Sequence, residues 1–367
     1  MTDANYFSRF DWDTMMSLNP WPSNPQAEYN IEKYHSILSP DRPDFLDRYI
    51  GLPVLQRLKG VGLLCGTDWT TLYKNRFYYS RLDHSVGVAL IIWHFTHDKK
   101  QTLAGLFHDA STPVFSHVSD FRKGDALTQT ATEEDNAGLL QRDKELQALL
   151  QTDGLVVDQI KDYHIYPVAD NEIPRLSADR LEYMFPSGMA LDGSWNLDAI
   201  KNAYNDIVVL KNEDGTDELG FKTLEIAEDY CRRFCMIGHI LQLNENKLTL
   251  HFLGQIMNKC VELGILSESD FMNKSEREVM ETIEKAPDAP LQLYKTFRTM
   301  TKIEHTDEPL PDHFCVSIDV KQRYINPLVQ TGAGDVRLAD ISPFAKKIID
   351  DFIAYKDTKY GCVKLVL

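Results

Sequence analysis

The stretch RLDHSVGVALIIWHFTHDKKQTLAGLFHDASTPVFSHVSD, residues 81–120, holds two runs that are apolar almost all round, HSVGVALIIWHF and QTLAGLFHDA. A helix without a polar face is one buried on every side. The pattern therefore predicts two central helices, the second ending before Ser111, Thr112 and Pro113 because proline cannot continue a helix. Into this core the sequence puts His84, His94, His97, His108, Asp109 and His117. Imidazoles and carboxylates are costly to bury unless something compensates, and both are good ligands for divalent metals such as Mn, Fe, Ni, Co, Zn or Mg. A bound cation is the expected compensation.

Working outward, DFLDRYIGLPVLQRLKGVGLL reads as a short helix and a longer one, broken at Gly51 and Pro53. PRLSADRLEYMF reads as a helix with Ser177 as its N-cap. Asp214-Gly215 marks the turn of a short hairpin, and long helices are expected over about 224–243, 247–263 and 275–286. HFCVSIDVKQRYINPLV alternates as a strand does, and SPFAKKIIDDFIAYK follows as a helix. The fold class read from this order is mainly α, a helical bundle with a small α+β C-terminal segment. The expected division is an irregular N-terminal arm over 1–43 that packs on the body or a partner, a helical domain over 44–300, and the α+β segment over 301–367.

The 367 residues are 43% hydrophobic, enough for a large core, and 55 acidic residues against 39 basic ones leave a net charge of −16. That balance argues against a broad basic surface for long nucleic acid or an anionic membrane. No run is long enough to span a bilayer, and the first residues lack the basic-then-apolar order of a signal peptide, so a cytoplasmic location is expected. The six cysteines, Cys65, Cys231, Cys235, Cys260, Cys315 and Cys362, form no CxxC pair, which argues against a zinc ribbon or a disulfide framework. Cys231, Cys235 and His239 share a helix face, and a core stripe with Ile226, Phe234 and Ile237 is the simpler account of it.

Taken singly, the polar residues have ordinary explanations: Asp179 as a first-turn acid, Arg81 paired with Asp83, His117 as a cap, Tyr183 as core. Their joint order is more specific. It runs Arg-x-x-His-Ser-x-Gly, an apolar helix, Gly-Leu-x-His-Asp, Pro-x-Phe-Ser-His, then Ala-Asp-Arg-Leu-x-Tyr. This arrangement resembles the HD superfamily of metal-dependent phosphohydrolases, and in particular its deoxynucleoside triphosphate triphosphohydrolase branch, over residues 44–120 and again around Asp179. The resemblance implies an HD-domain helical bundle, with His84, His108, Asp109 and Asp179 as metal ligands. It also implies Arg81, Arg180 and Tyr183 as substrate-binding residues and His117 beside the scissile phosphate. Asp109 and His117 are the candidate catalytic pair, with Asp109 also a candidate bridge to a second metal.

Three positions depart from the branch. Leu63 stands where the branch has a sugar-reading Gln, Thr112 replaces a second histidine, and TATEEDNAG carries no histidine for the later His-Glu motif. Glu133 and Glu134 are candidate substitutes there, with a solvated helix N-terminus as the simpler reading. His164, in DYHIYP, is a candidate for the pocket rim; His94 and His97 are expected to pack or face solvent. The expected activity is hydrolysis of a phosphate ester or anhydride in a small phosphorylated substrate, a nucleotide and foremost a deoxynucleotide. The competing expectation is a nucleotide-sensing regulatory protein that keeps the fold and metal with little hydrolysis. By analogy with the branch, a homo-oligomer is expected.

Overall fold

The computed structural model of the protein describes residues 4–17, 30–127 and 135–366; Glu133 and Glu134 lie outside them. The chain is mainly helical. The helices that build the site are α1 (Ile31–Leu38), α2 (Arg81–Thr96), α3 (Lys99–Phe107), α4 (Val118–Lys123), α5 (Ala178–Ala190), α6 (Leu224–Gln242), α7 (Asn244–Glu262) and α8 (Pro343–Ala354).

α2 begins at a capping box in which Ser80 and Asp83 satisfy each other's backbone N–H groups, and it ends where His97 turns left-handed at φ 49°. Eleven of its sixteen residues are buried, His84 among them, as the all-round apolar pattern predicts. α3 is capped by Asp98 and stops at His108. Two glycines set how closely α2's neighbours approach. A Cβ on Gly105 would lie 2.3 Å from Ile92 Cδ1 of α2, and one on Gly87 would lie 2.4 Å from Oε1 of Glu182 on α5. α5 starts after Ser177, whose hydroxyl accepts from the Arg180 N–H.

Strands β1 (Ile207–Lys211) and β2 (Asp217–Phe221) form the expected hairpin, antiparallel with Ile207 opposite Phe221. Three further strands lie in the C-terminal part: β3 (Glu304–Thr306), β4 (His313–Val316) and β5 (Leu328–Thr331). They are followed by β6 (Gly334–Arg337) and β7 (Tyr360–Lys364). The first sheet runs β1-β2-β5-β6, with β5 parallel to β2 through Gly220↔Leu328, and the second runs β3-β7-β4. The hairpin thus shares one sheet with β5 and β6 of the C-terminal part. The alternating stretch 313–329 forms strands only at its two ends, β4 and β5.

The first forty residues are not irregular throughout, since Ile31–Leu38 is a helix capped by Asn30 that buries Tyr34, His35 and Leu38. The arm packs on the body. Asn5 Nδ2 donates to the Asp351 carbonyl, Tyr6 N–H donates to the Asp351 carboxylate, and Phe7 is fully buried. A second correction concerns the cysteines. Cys315 and Cys362 are joined as a disulfide, because the β4–β7 register sets them opposite each other across 47 residues of chain. Linear spacing carries no trace of that register. Cys231 and Cys235 are buried as expected, and His239 hydrogen-bonds the Phe10 carbonyl, so that face serves packing. No helix among the described residues is long and apolar enough to cross a membrane.

Candidate metal centre

His84 on the first turn of α2, His108 and Asp109 at the end of α3, and Asp179 on the first turn of α5 meet at one place. His84 Nε2 lies 3.2 Å from His108 Nε2, 3.1 Å from Asp179 Oδ1 and 3.7 Å from Asp109 Oδ2. His108 Nε2 is 3.5 Å from Asp109 Oδ2 and 3.7 Å from Asp179 Oδ1. His84, His108 and Asp109 are each no more than 5% exposed.

The donor set fits a divalent cation. Nitrogen and oxygen ligands about 2.0–2.2 Å from a shared ion stand roughly 3.0–3.5 Å from one another, close to the spacing found among His84, His108 and Asp109, whose ligand atoms all lie within 4.8 Å of one another, with Asp179 reaching the two histidines from the side of α5. His84 Nδ1 donates to Glu182 Oε2 at 2.5 Å and His108 Nδ1 donates to the Gly105 carbonyl at 2.7 Å. With both Nδ1 atoms so occupied, two Nε2 lone pairs confront each other, an arrangement that a cation relieves. Without one, a proton takes its place. Burial alone would lower the His84 pKa, but hydrogen bonds to Asp179 and Glu182 outweigh it and raise it to about 10. Burial pushes Asp109 up, and the charges of Arg81, His108 and His84 overcome it, holding that carboxyl well below the usual range. Asp179 is likewise pushed up by burial and drawn down to about 2, chiefly by His84.

Around the ligands lies a set of supports. Glu182 is fully buried and also accepts from Tyr79 OH at 2.6 Å and Tyr34 OH at 3.0 Å. Thr112, which stands where the resembled branch has histidine, donates to Asp109 Oδ1 at 2.8 Å. Arg81 Nη1 donates to Asp109 Oδ2 at 2.8 Å and its Nε to Ser116 Oγ at 2.9 Å, so this guanidinium is engaged with a ligand carboxylate. Phe115 and Ser116 take left-handed φ values of 60° and 52°, each at a cost of about 1–3 kcal/mol. Glu276 secures this turn by accepting from the Gly62, Phe115 and Trp69 N–H groups.

The four candidate ligands open on a cavity of about 240 Å³, also lined by Arg81, His117, His164, Arg180, Tyr183 and, from the C-terminal part, Lys321 and Arg323. His117 Nδ1 hydrogen-bonds the buried carboxylate of Asp120 at 2.9 Å. Burial lowers the His117 pKa, and neighbouring Arg323 and Arg81 push the same way against the Asp120 hydrogen bond. The Arg180 guanidinium is taken up by the carbonyls of Arg175 and Asn171, the Asn171 side chain and Asp170. Tyr183 lines the wall with its hydroxyl pushed up to about 12 by burial, against the pull of Arg323 and Arg180. Leu63 also lines the cavity, as an apolar patch. His94 and His97 lie away from it, His97 with a side chain 60% exposed.

Sequence reasoning missed Glu182, Asp120, Lys321 and Arg323. The first two had a signal, an acid three residues beyond Asp179 and beyond His117 respectively, on helices otherwise buried there. The last two had none. A second His/acid gathering, Glu245, His305 and Asp357, is of another kind: each ring nitrogen already hydrogen-bonds its own carboxylate, Nε2 to Glu245 at 2.9 Å and Nδ1 to Asp357 at 3.2 Å.

No protein-family model matches the chain. It is similar to the uncharacterized protein YdhJ of Bacillus subtilis (strain 168), 28% identical over 142 residues, which is 38% of this chain and 41% of that protein. The chain thus spans well under half the length of that curated relative. Among solved structures it is similar to a hypothetical protein from Aquifex aeolicus, with TM-score 0.52 and 14% identity over 88% of this chain and 93% of that one. It is also similar to a phosphohydrolase from Bacteroides thetaiotaomicron VPI-5482, with TM-score 0.54 and 16% identity over 88% of this chain and 96% of that one. At these identities the likeness is one of fold, and the fold it shares is one that a phosphohydrolase uses.

Proposed function

We propose that the protein is an HD-type, divalent-metal-dependent phosphohydrolase acting on a nucleotide or related small phosphorylated molecule, a deoxynucleotide first among them. The observation that carries this reading is the convergence of His84, His108, Asp109 and Asp179 in one cationic cavity. A cation held by these four residues supplies water activation, lowering the pKa of water toward about 7, and charge neutralisation at phosphorus. The chain's own residues do the rest. Arg81 and Thr112 fix the Asp109 carboxylate from two sides. Lys321 and Arg323, with Arg81, set positive charge against the oxygens where charge spreads in the transition state. His117, held by Asp120 and kept toward its neutral form, suits the acceptance of a proton from the attacking water. The net charge of −16 and a cavity of this size favour a small substrate over a polynucleotide.

A panel of nucleotides incubated with Mn, Mg, Ni or Co tests the reading. Release of phosphate, pyrophosphate or triphosphate that disappears in His108→Ala supports it. The sensor reading draws on Leu63 and Thr112, two positions where the resembled branch has polar readers, and saturable nucleotide binding without turnover would favour it instead.

A further inference from the structure

Glu276 is 1% exposed at the start of the helix Glu276–Ile283, well beyond the last motif residue, Tyr183. Burying a carboxylate is costly unless donors compensate, and three do. Its Oε1 accepts from the Gly62 N–H at 2.8 Å and the Phe115 N–H at 3.3 Å, and its Oε2 accepts from Trp69 Nε1 at 2.8 Å. The approach to Gly62 is close, for a Cβ there would lie 3.3 Å from each carboxylate oxygen. Gly62 is held at both ends of its residue: its N–H goes to Glu276, and its carbonyl accepts from Ser116 Oγ at 3.0 Å. The same Ser116 Oγ accepts from Arg81 Nε at 2.9 Å, and Arg81 Nη1 reaches Asp109. Backbone bonds join the segment to α2 as well, with the Arg81 N–H on the Val61 carbonyl at 2.8 Å and the Leu63 N–H on the Tyr79 carbonyl at 2.9 Å. His117 directly follows the two left-handed residues of the turn, Phe115 and Ser116. Backbone of that kind persists only where its surroundings over-determine it, and here one carboxylate oxygen takes both the Gly62 and the Phe115 N–H.

We propose that Glu276 is a positioning residue of the hydrolytic site, holding Arg81 and His117 at the cavity through Gly62, Phe115 and the Ser116 hydroxyl; the proposal rests on the phosphohydrolase reading above and adds a residue to it. A misplacement of about 1 Å caused far from the reacting atoms can cost ~10²-fold in rate. The candidate ligands have supports of their own, Glu182 for His84, the Gly105 carbonyl for His108 and Thr112 for Asp109. Loss of Glu276 therefore acts on rate and on phosphate binding and leaves the cation in place.

The three donors set the test. In Glu276→Gln the amide oxygen can serve the Gly62 and Phe115 N–H groups only by turning its own N–H₂ against the Trp69 indole N–H, and the opposite orientation sets donor against donor at the backbone pair. Adding Trp69→Phe removes the indole donor and frees the amide to serve the backbone. The full-length chain with added Mn is assayed at about pH 8, above the value of about 7 to which burial raises the Glu276 carboxyl. Glu276→Gln is expected to lower kcat/KM on the best substrate of the nucleotide panel by about 10–10²-fold and to weaken the binding of inorganic phosphate, with Mn affinity unchanged. The double variant should return both to the level of Trp69→Phe alone. Ser116→Gly, which cuts the relay next to Arg81 at a φ that glycine adopts freely, should show the same losses and add nothing to those of Glu276→Gln; if Glu276→Gln does not fold, Ser116→Gly alone decides by the same two readouts. A lower melting midpoint with rate and phosphate affinity unchanged, losses that multiply, or no recovery in the double variant would overturn the assignment and leave the phosphohydrolase reading standing. If the wild-type chain turns over no nucleotide, that reading falls, and the phosphate titration still decides the role of Glu276: the expected pattern across the variants sustains it, and equal affinities overturn it.

Discussion

The carboxylate of Glu182 and the imidazole of His84 form the shortest polar contact at the candidate metal centre, 2.5 Å between Oε2 and Nδ1, with the acid fully buried and braced by two tyrosine hydroxyls. A carboxylate so placed orients the ring and raises its basicity toward a metal, and loss of such a partner costs typically 10–100-fold in metal affinity. Glu182→Gln should weaken Mn or Co binding by that factor in a competition titration while the chain stays folded. An unchanged affinity would remove Glu182 from the centre.

Gly87 provides a second route to the same contact. A Cβ there would come within 2.4 Å of Glu182 Oε1 and 2.8 Å of its Cδ, inside a core with no room to yield. Gly87→Ala is expected to destabilise the fold by about 1–3 kcal/mol through overpacking and to weaken metal binding as well, measured by denaturant unfolding and by titration.

His305 predicts a pH dependence of stability. Hydrogen bonds to Asp357 and then Glu245 raise its pKa from 6.5 to about 10, against a smaller opposing effect of burial. Because the folded-state value lies above the unfolded one, the stabilisation is complete below about pH 6.5 and drains away as pH rises toward 10. Thermal melts should show a falling midpoint over that interval, and His305→Gln should melt lower at pH 6.5 with the slope flattened. Asp11 lies near His305 itself, and Lys247 and Tyr355 lie near Asp357, so the comparison with the variant is what isolates the imidazole.

The Cys315–Cys362 bridge closes 47 residues of chain. Chain-entropy arguments assign a loop of that length about 3–4 kcal/mol. Dithiothreitol should therefore lower the denaturant midpoint of the oxidised wild-type chain and leave a Cys315→Ser/Cys362→Ser double variant unmoved. Equal midpoints with and without reductant would show that the bridge does not form in solution.

The gathering of His84, His108, Asp109 and Asp179 was legible because imidazoles and carboxylates in helices with no polar face contradict their surroundings, and the contradiction points to a candidate cation site. Ser177, the Asp214-Gly215 turn and the long helices were legible because caps, turns and periodicity are local. Glu182 was missed even though it stands three residues beyond Asp179, since the second acid in ADRLEYMF reads as an ordinary solvent-facing residue until the tertiary fold buries it. Lys321 and Arg323 reach the cavity in a part of the chain tied down by the parallel pairing of β2 with β5, more than a hundred residues apart. The cysteine bridge depends on the β4–β7 register in the same way. Such long-range alignments leave no periodic mark in the chain.

The turn at Phe115 and Ser116 has a practical bearing on how small a working version of this protein can be made. Every motif residue lies before position 184, yet the turn behind Arg81 is fastened by Glu276, and the Val114 N–H is taken by the Phe271 carbonyl. A shortened clone ending after α5 would keep the complete signature and lose both fastenings along with Lys321 and Arg323. The motif set is therefore not portable, and grafting it into another scaffold would require carrying over a glutamate from the far half of the chain.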